Sequence, residues 1–412
     1  MSAPRTEQRE TFPAVAPANR PAPRRIDLRQ QVVAGLTGPW RTLPLILSLG
    51  VVWVFFAIES PLFLSSRNLT NLSNQIAVSS LLALALVFVV VVRQIDISLA
   101  SLAAVCGGIA AYLSAEQGWD PVVAVALALI VGVCVPAFQS WIVMKSKAPS
   151  FIVTLGGMFI LNAVLMWMLP VTQVIVLSGT PLQAVAGTYL PDWLSYLLAG
   201  MGVALFGLLR RNYHAARLRE GSSSHLLRST VLPTAGLAIA VFGILLSVFN
   251  PYRGVPLPAV IVVTIAAVLS YVGTQTPLGK HIYGIGGNPE AARRAGIKVE
   301  GVTAITFAIA GFVAAWAGVI NASRSLGVSA QSTDLTLLLV ALSAVVIGGV
   351  SLFGGRGGIW SVILGGILMG SIQNGLQLMA VSQQVQWTVQ GVVLVSAVVI
   401  DASISRHAAN PT

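Results

Sequence analysis

Apolar runs of about 20 residues recur along this chain, separated by shorter polar stretches. A run of that length crosses the ~30 Å hydrocarbon core of a bilayer as an α-helix, and only a helix or a closed barrel satisfies its backbone hydrogen bonds there. Only 9% of the residues are charged and 56% are hydrophobic, whereas soluble domains carry roughly 25% charged residues. The sequence therefore predicts an all-α polytopic membrane protein with about twelve transmembrane helices. We place the spans at approximately 41–58, 74–92, 96–115, 121–143, 150–169, 192–209, 230–249, 256–273, 302–322, 335–352, 359–380 and 385–401.

The positions of Lys and Arg predict the orientation of these spans. With the N-terminus inside, all but three of the 24 Lys and Arg residues fall on the cytoplasmic side, which is the positive-inside pattern. The exceptions are Arg67, Arg253 and Arg324. The net charge of +11 is thus explained by an N-in/C-in topology, and we expect no nucleic-acid partner.

The chain divides into one membrane domain and two tails. Residues 1–40 are rich in Pro and Arg and lack the apolar segment of a signal peptide, so we expect a disordered basic cytoplasmic tail. Contact of this tail with anionic lipid is an open alternative. Residues 41–401 form the transmembrane domain and 402–412 a cytoplasmic tail. Within the domain, 210–229 is interpreted as a mobile basic cytoplasmic linker, and Pro170–Pro191 is the longest external segment.

Segment 274–300 is the most polar stretch between two spans. Its glycines predict a turn, followed by a short helix with an Asn N-cap, Pro in the first turn, an early acidic residue and late arginines. A glycine then ends the helix. A short capped helix at the membrane surface indicates a contact site for another molecule. The residues concerned are Gly284, Gly286 and Gly287 in the turn, Asn288, Pro289, Glu290, Arg293 and Arg294 in the helix, and Gly296 at its end.

Two polar stretches are candidates for lining a transport pathway. Asp96, Ser98 and Ser101 interrupt apolar sequence before a helix with two stripes of small residues. They either line the pathway or cap that helix structurally. Gln373 and Asn374 place two amides deep in a span, where amides either bond neighbouring helices or line a polar cavity.

The sequence lacks the features of an enzyme or a self-powered carrier. Its glycine clusters do not match the phosphate-binding G-x-x-x-x-G-K-[ST] pattern, and no catalytic triad or metal-ligand spacing is present. We therefore expect no catalytic residue, no metal site and no cofactor. No charged residue lies at a predicted bilayer centre, where ion-coupled carriers usually need one. An energy source on another protein is favoured.

Three stretches together resemble the ribose- and xylose-type ABC sugar permeases of the branched-chain amino acid/monosaccharide permease family. They are IDISLASLA at 95–103, GIGGNPEAARRAGI at 284–297 and GGVSLFGGRGGIWSVILGGILMGSIQNGLQLM at 348–379. The resemblance extends over about 70–400. The pair of spans around the basic linker is more similar to the xylose-type branch.

The resemblance implies a permease subunit of a bacterial inner-membrane importer for a monosaccharide, such as the pentose xylose. Its partners would be a separate ATPase, an external sugar-binding protein, a second permease copy and membrane lipid. It implies an ATPase-coupling role for the helix after the glycines, while the arginines there either bind the ATPase or only set topology. Two alternatives stay open: a permease of the same family for a branched-chain amino acid or a sugar-like signal, and a secondary carrier without an ATPase. The implied coupling residues are Gly287, Asn288, Glu290, Ala291, Ala292, Arg293, Arg294 and Gly296.

Overall fold

The structure, a computed structural model, describes residues 42–219, 226–333 and 335–409. Almost all of the regular structure is helical, with two short two-stranded sheets. The helices are α1 Leu43–Glu59, α2 Ser66–Val91, α3 Leu99–Ala111, α4 Pro121–Ser146, α5 Ser150–Met168, α6 Ala184–Gly187, α7 Asp192–Arg219, α8 Leu232–Ile244, α9 Leu257–Gln275, α10 Pro277–Gly287, α11 Pro289–Arg294, α12 Val299–Arg324, α13 Leu335–Ile347, α14 Ile359–Leu378 and α15 Gln383–Ala409. The strands are β1 Val174–Val176, β2 Tyr189–Leu190, β3 Val255–Pro256 and β4 Gly327–Ser329.

Each of the twelve predicted spans coincides with a helix, and the predicted fold class is confirmed. Among the described residues, ten helices are long and apolar enough to cross a membrane. The helix of the first predicted span, α1, is apolar but only 17 residues long. Large apolar side chains point outward, including Val51, Ile58 and Ile239, which are each at least 70% exposed. Such a surface suits contact with lipid tails.

Several helices extend beyond the predicted spans. Helix α2 begins at Ser66, because the Ser65 side chain accepts a hydrogen bond from the backbone N–H of Asn68 and caps it. Helix α7 continues to Arg219, so the first part of the predicted 210–229 linker is helical. Within this helical part, His214 is buried and its Nδ1 lies 2.9 Å from the Ser229 hydroxyl.

The core is built around α2, and 94% of the apolar stretch of this helix is buried. Helices α3, α12 and α14 surround it, and in each of them about two thirds or more of the apolar residues are buried. By contrast, α7 and the segment containing α8 bury only 6% each and pack mainly on one another. The pair of spans around the basic linker is therefore peripheral.

The small-residue stripes of α3 are used inside the chain. A Cβ added at Gly318 of α12 would overlap the backbone of Ala103, and one at Gly107 would overlap the backbone of Gly318. Gly132 and Gly311 bring α4 equally close to α12. Backbones approach this closely only where side chains are absent. The stripe that contains Ala103 and Gly107 is therefore used to pack α3 against α12 within the chain.

The two ends of the bundle differ. The sheet end carries β1 paired with β4 and β2 paired with β3, both antiparallel. Arg67, Arg253 and Arg324 lie at this end. The opposite end, called the turn end, carries the 92–98 turn, α10, α11 and the 348–358 loop.

Candidate functional site

Helices α10 and α11 meet in a corner at the turn end of the bundle. Asn288 lies between the two helices: its backbone N–H donates to the carbonyl of Gly284, and its Oδ1 accepts from the backbone N–H groups of Glu290 and Ala291 at 3.1 and 3.0 Å. Asn288 thus ends α10 and caps α11, as expected for the N-cap. Gly296, at φ +83°, follows the end of α11 in the left-handed conformation that glycine tolerates.

The predicted turn at Gly284, Gly286 and Gly287 is wrong. These residues are the last turn of α10, whose start is capped by the Thr276 hydroxyl and Pro277. Glycine in a helix interior is normally unfavourable, but here it allows a close contact. A Cβ at Gly286 would overlap the backbone of Val91 and Gly355. The glycine cluster therefore serves packing against the end of α2.

Helix α11 presents most of the predicted coupling residues to the outside. Gly287, Asn288, Glu290, Ala291, Arg293, Arg294 and Gly296 are exposed, whereas Ala292 is 6% exposed and packs into the core. The side chain of Ala292 anchors the helix, so it is unavailable to a partner. The remaining residues form one polar surface.

Within the chain, the two arginines of α11 have acidic partners. Arg293 lies 3.3 Å from Glu290 and 3.1 Å from Glu300, and Arg294 lies 3.3 Å from Glu290. The contacts with Glu300, more than those with Glu290, raise the pKa of Arg293 above its ordinary value. All these side chains are more than half exposed, so solvent screens the pairs and they add little to stability. The two arginines can therefore leave Glu290 and Glu300 and bind acidic groups of another molecule at little cost in free energy.

The polar turn between α2 and α3 lies at the base of this corner and buries the side chains of Asp96 and Ser98. Asp96 is 1% exposed; its Oδ1 accepts from the Ser98 backbone N–H at 2.8 Å and lies 2.7 Å from the Ser98 hydroxyl. The other oxygen, Oδ2, has no hydrogen-bond partner among the described residues. Burial raises the pKa of Asp96 to about 6, while the hydrogen bonds from Ser98 act in the opposite direction. Ser101 is also buried, one turn further along α3.

This turn is bonded to two further helices. The backbone N–H of Ile95 donates to the Ser150 hydroxyl at 3.1 Å, and that of Ile97 donates to the Thr154 hydroxyl at 3.2 Å. The Ser98 hydroxyl lies 3.0 Å from Oε1 of Gln139 in α4. The turn thus joins α2, α3, α4 and α5 at one point.

Arg93 connects the polar turn to the corner, a role that sequence reasoning missed. Its Nε donates to the carbonyl of Gly286 and its Nη2 to the carbonyl of Gly287, both at 2.7 Å. These carbonyls end α10 and have no partner within the helix. The guanidinium also meets the negative end of the helix dipole. Arg93 is exposed, and no local signal in the sequence pairs it with residues almost 200 positions away.

The loop between α13 and α14 completes the cluster. The backbone N–H of Gly355 donates to the carbonyl of Val91 at 3.0 Å, and the Tyr283 hydroxyl donates to the carbonyl of Gly357 at 2.8 Å. Gly354 and Gly355 have φ of +84° and +75° and pack against Arg93 and α10. Two sequence motifs 250 residues apart, at 93–101 and 348–358, therefore meet at this site.

The other pathway candidates lie at the opposite end. Asn374 is 8% exposed and forms a reciprocal amide pair with Asn68, at 2.9 and 3.2 Å. The side chain of Gln373 is half-buried and makes no hydrogen bond within the part of the chain described. Asn68 and Asp96 lie at opposite ends of α2, which is roughly 35–40 Å long at ~1.5 Å per residue. The two candidate groups therefore do not form one site.

Comparison with known proteins gives a family and several relatives. The family model described as "Branched-chain amino acid transport system / permease component" matches residues 68–398. "Xylose transport system permease protein XylH" of Escherichia coli (strain K12) is 35% identical over 345 residues, 84% of this chain and 87% of the relative. The protein of the same name from Haemophilus influenzae is 33% identical over 360 residues, 87% of this chain and 95% of the relative. "Ribose import permease protein RbsC" of Bacillus subtilis is 29% identical over 356 residues, 86% of this chain and 91% of the relative. No solved structure matches.

Proposed function

Because this chain belongs to the family of branched-chain amino acid transport system permease components, we propose that it is the membrane-spanning subunit of an importer powered by a separate ATPase. It is a sugar-permease relative of the xylose and ribose type and a multi-pass protein of the bacterial inner membrane. The finer assignment is a monosaccharide as substrate, with a pentose such as xylose preferred. That preference rests on the relatives named for xylose transport.

The exposed helix α11 is the observation that carries the ATPase partnership. It is capped at both ends and anchored by the buried Ala292, and among the described residues its side chains at Glu290, Ala291, Arg293 and Arg294 are exposed. A rigid helix transmits a push, whereas a flexible loop would absorb it. We assign the turn end to the cytoplasm, where an ATPase would contact the exposed residues of α11.

The sheet end is the proposed contact for an external binding protein. Segment Pro170–Pro191 is folded there by β1, α6 and β2, and the Ser323 hydroxyl ties it to α12 by bonding the N–H of Ala186. Its exposed side chains include Val171, which is 99% exposed, and Val176, which is 58% exposed. Exposed apolar residues on an ordered surface suit a protein partner. A second copy of the permease belongs to the proposed assembly, but the small-residue stripes do not identify its contact surface.

A neutral solute fits the charge distribution better than an amino acid. Asp96 is the only buried carboxylate in the described ranges, and it is joined there by no buried Lys or Arg. An amino acid needs groups that bind both its ammonium and its carboxylate, since leaving either unpaired is costly. The family's description nevertheless names branched-chain amino acids, so leucine is the second candidate.

Reconstitution tests the proposed function. The permease is co-purified with its ATPase, placed in vesicles and supplied with the binding protein and labelled xylose, ribose or leucine. We expect xylose accumulation that requires ATP, the ATPase and the binding protein together. Accumulation by the permease alone would instead identify a secondary carrier, and preferential leucine uptake would replace the sugar assignment.

A further inference from the structure

Arg93 occupies a backbone conformation that favours glycine. It follows the last turn of α2 with φ 63°, and the N–H of Gln94 bonds back to the carbonyl of Val89. This is the usual helix ending with a left-handed residue, which is most often glycine because a Cβ is strained there. A strained arginine at this position is compensated by what its side chain binds.

The side chain binds the end of α10 in a way that only arginine can reproduce. Nε and Nη2 lie on one rigid plane and donate to two successive carbonyls, those of Gly286 and Gly287. Lysine carries the same charge on a single nitrogen without this fixed fork. The next residue, Asn288, is the cap of α11. One side chain thus connects the helix offered to the ATPase with the end of α2.

From Arg93 the connection continues into the buried bundle. Three residues further along, the turn reaches Asp96, and its backbone is bonded to Ser150 and Thr154 of α5. Among the described side chains, Arg93 alone forms hydrogen bonds between this turn and α10. The backbone contact of Gly355 with Val91 adds a second, parallel support from the 348–358 loop.

We propose that Arg93 is a positioning residue that couples displacement of α11 to movement of the polar turn at 93–98 and the helices bonded to it. This inference rests on the proposed function, because it assumes that an ATPase moves α11. Without the fork, α10 and α11 would move against the end of α2, and ATP hydrolysis would continue with less transport.

The test compares Arg93→Gly, Arg93→Lys and the control Arg356→Ala in the reconstituted complex. Arg93→Gly removes the fork and relieves the backbone strain, so it should fold and assemble as well as the wild type. Arg356 is an exposed arginine of the neighbouring loop, and its substitution removes the same charge.

We measure ATPase co-purification, ATP hydrolysis and sugar uptake on each sample. For Arg93→Gly we expect unchanged co-purification and hydrolysis, with sugar moved per ATP reduced about tenfold, within the range for a coupling residue. Arg93→Lys should fall between Arg93→Gly and the wild type, and Arg356→Ala should match the wild type.

A second pair of variants tests the same junction without touching the arginine. Gly286→Ala places a methyl group against the backbone of Val91 and Gly355, whereas Gly284→Ala in the same helix meets nothing closer than 4.0 Å. We expect Gly286→Ala, and not Gly284→Ala, to lower the sugar moved per ATP.

Three results would overturn the inference. Unchanged transport per ATP in Arg93→Gly would show that the fork is not needed. Loss of assembly in both Arg93→Gly and Arg93→Lys would assign the arginine to folding. Absence of ATP-dependent uptake by the wild-type complex would overturn the proposed function and this inference with it.

Discussion

Single polar residues in this bundle differ in whether the chain satisfies them. Asn374 exchanges two hydrogen bonds with Asn68 and needs nothing further. Asp96 has one satisfied oxygen and one buried oxygen without a partner. A buried polar atom without a partner lowers stability by ~1–3 kcal/mol, so its presence in the fold needs an explanation. Asp96 is therefore the stronger of the two pathway candidates.

Substitution of Asp96 by Asn should separate its two possible roles. A pKa raised to about 6 from 3.8 means that the folded protein holds the proton more tightly than the unfolded chain. The contribution of Asp96 to the free energy of unfolding is therefore fully present below the unfolded-state pKa. It is lost as the pH rises through about 6, the pKa in the folded protein. Asn keeps the acceptor for Ser98 without the charge, so Asp96→Asn should raise the unfolding midpoint at pH 7 and flatten its dependence between pH 4 and 6.

The measurement is thermal unfolding of the purified protein across this pH range, together with uptake. Retained folding with lost uptake would assign Asp96 to the pathway, and unchanged uptake would assign it to structure. A lower midpoint at pH 7 would contradict the expected cost of the buried charge.

At Asn288, the cap itself can be tested. Asn288→Ala removes the acceptor for the N–H groups of Glu290 and Ala291, which should cost about 1 kcal/mol locally and fray α11. Asn288→Ser retains a capping oxygen. We expect weaker ATPase co-purification and uptake for Asn288→Ala than for Asn288→Ser. Equal binding by both variants would show that an ordered α11 is not required.

Among the elements, close helix contacts depend on glycine. Helix α12 touches α3 at Gly318 and α4 at Gly311, and both contacts bring backbone against backbone. Helix α5, in contrast, exposes Gly156 with nothing within 4 Å of an added Cβ. Packing therefore requires glycine at Gly318 and Gly311 but not at Gly156.

Gly318→Ala should destabilise the bundle, and Gly156→Ala should not. The new methyl group at Gly318 has to push α3 and α12 apart, and overpacking of this kind costs ~1–3 kcal/mol. Comparing the thermal unfolding midpoints of the two variants in detergent tests this directly. Equal midpoints would show that the crossing of α3 and α12 can open without cost.

For the whole molecule, the membrane orientation follows from the charges at the two ends. The described Lys residues lie at the turn end, as do Arg93, Arg293 and Arg294. These features predict that the turn end is cytoplasmic and the sheet end external.

Cysteine labelling in cells checks this orientation. In a background with the exposed Cys134 replaced by Ser, we introduce Val171→Cys at the sheet end or Lys280→Cys at the turn end. A membrane-impermeant maleimide should label Val171→Cys in intact cells and Lys280→Cys only after permeabilisation. The reverse pattern would invert the topology and remove α11 from reach of a cytoplasmic ATPase.

The sequence alone determined the long apolar helices and the cap of α11, because span length, hydropathy and caps are local properties. The twelve spans, the Asn288 cap and the glycine stop at Gly296 all follow from neighbouring residues. Segment 170–191 was identified only as a loop, since its strands are two or three residues long and depend on partners elsewhere.

Only the tertiary structure decided which side chains meet. The glycines before Asn288 were expected in a turn, yet they belong to α10 because packing against Val91 and Gly355 outweighs the helix cost of glycine. The amide pair of Asn374 and the fork of Arg93 join residues 306 and 193 positions apart, and no local pattern encodes such a contact. The sequence determined that a capped helix stands at the end of the bundle; the packing of α2 against α10 decided what that helix is attached to.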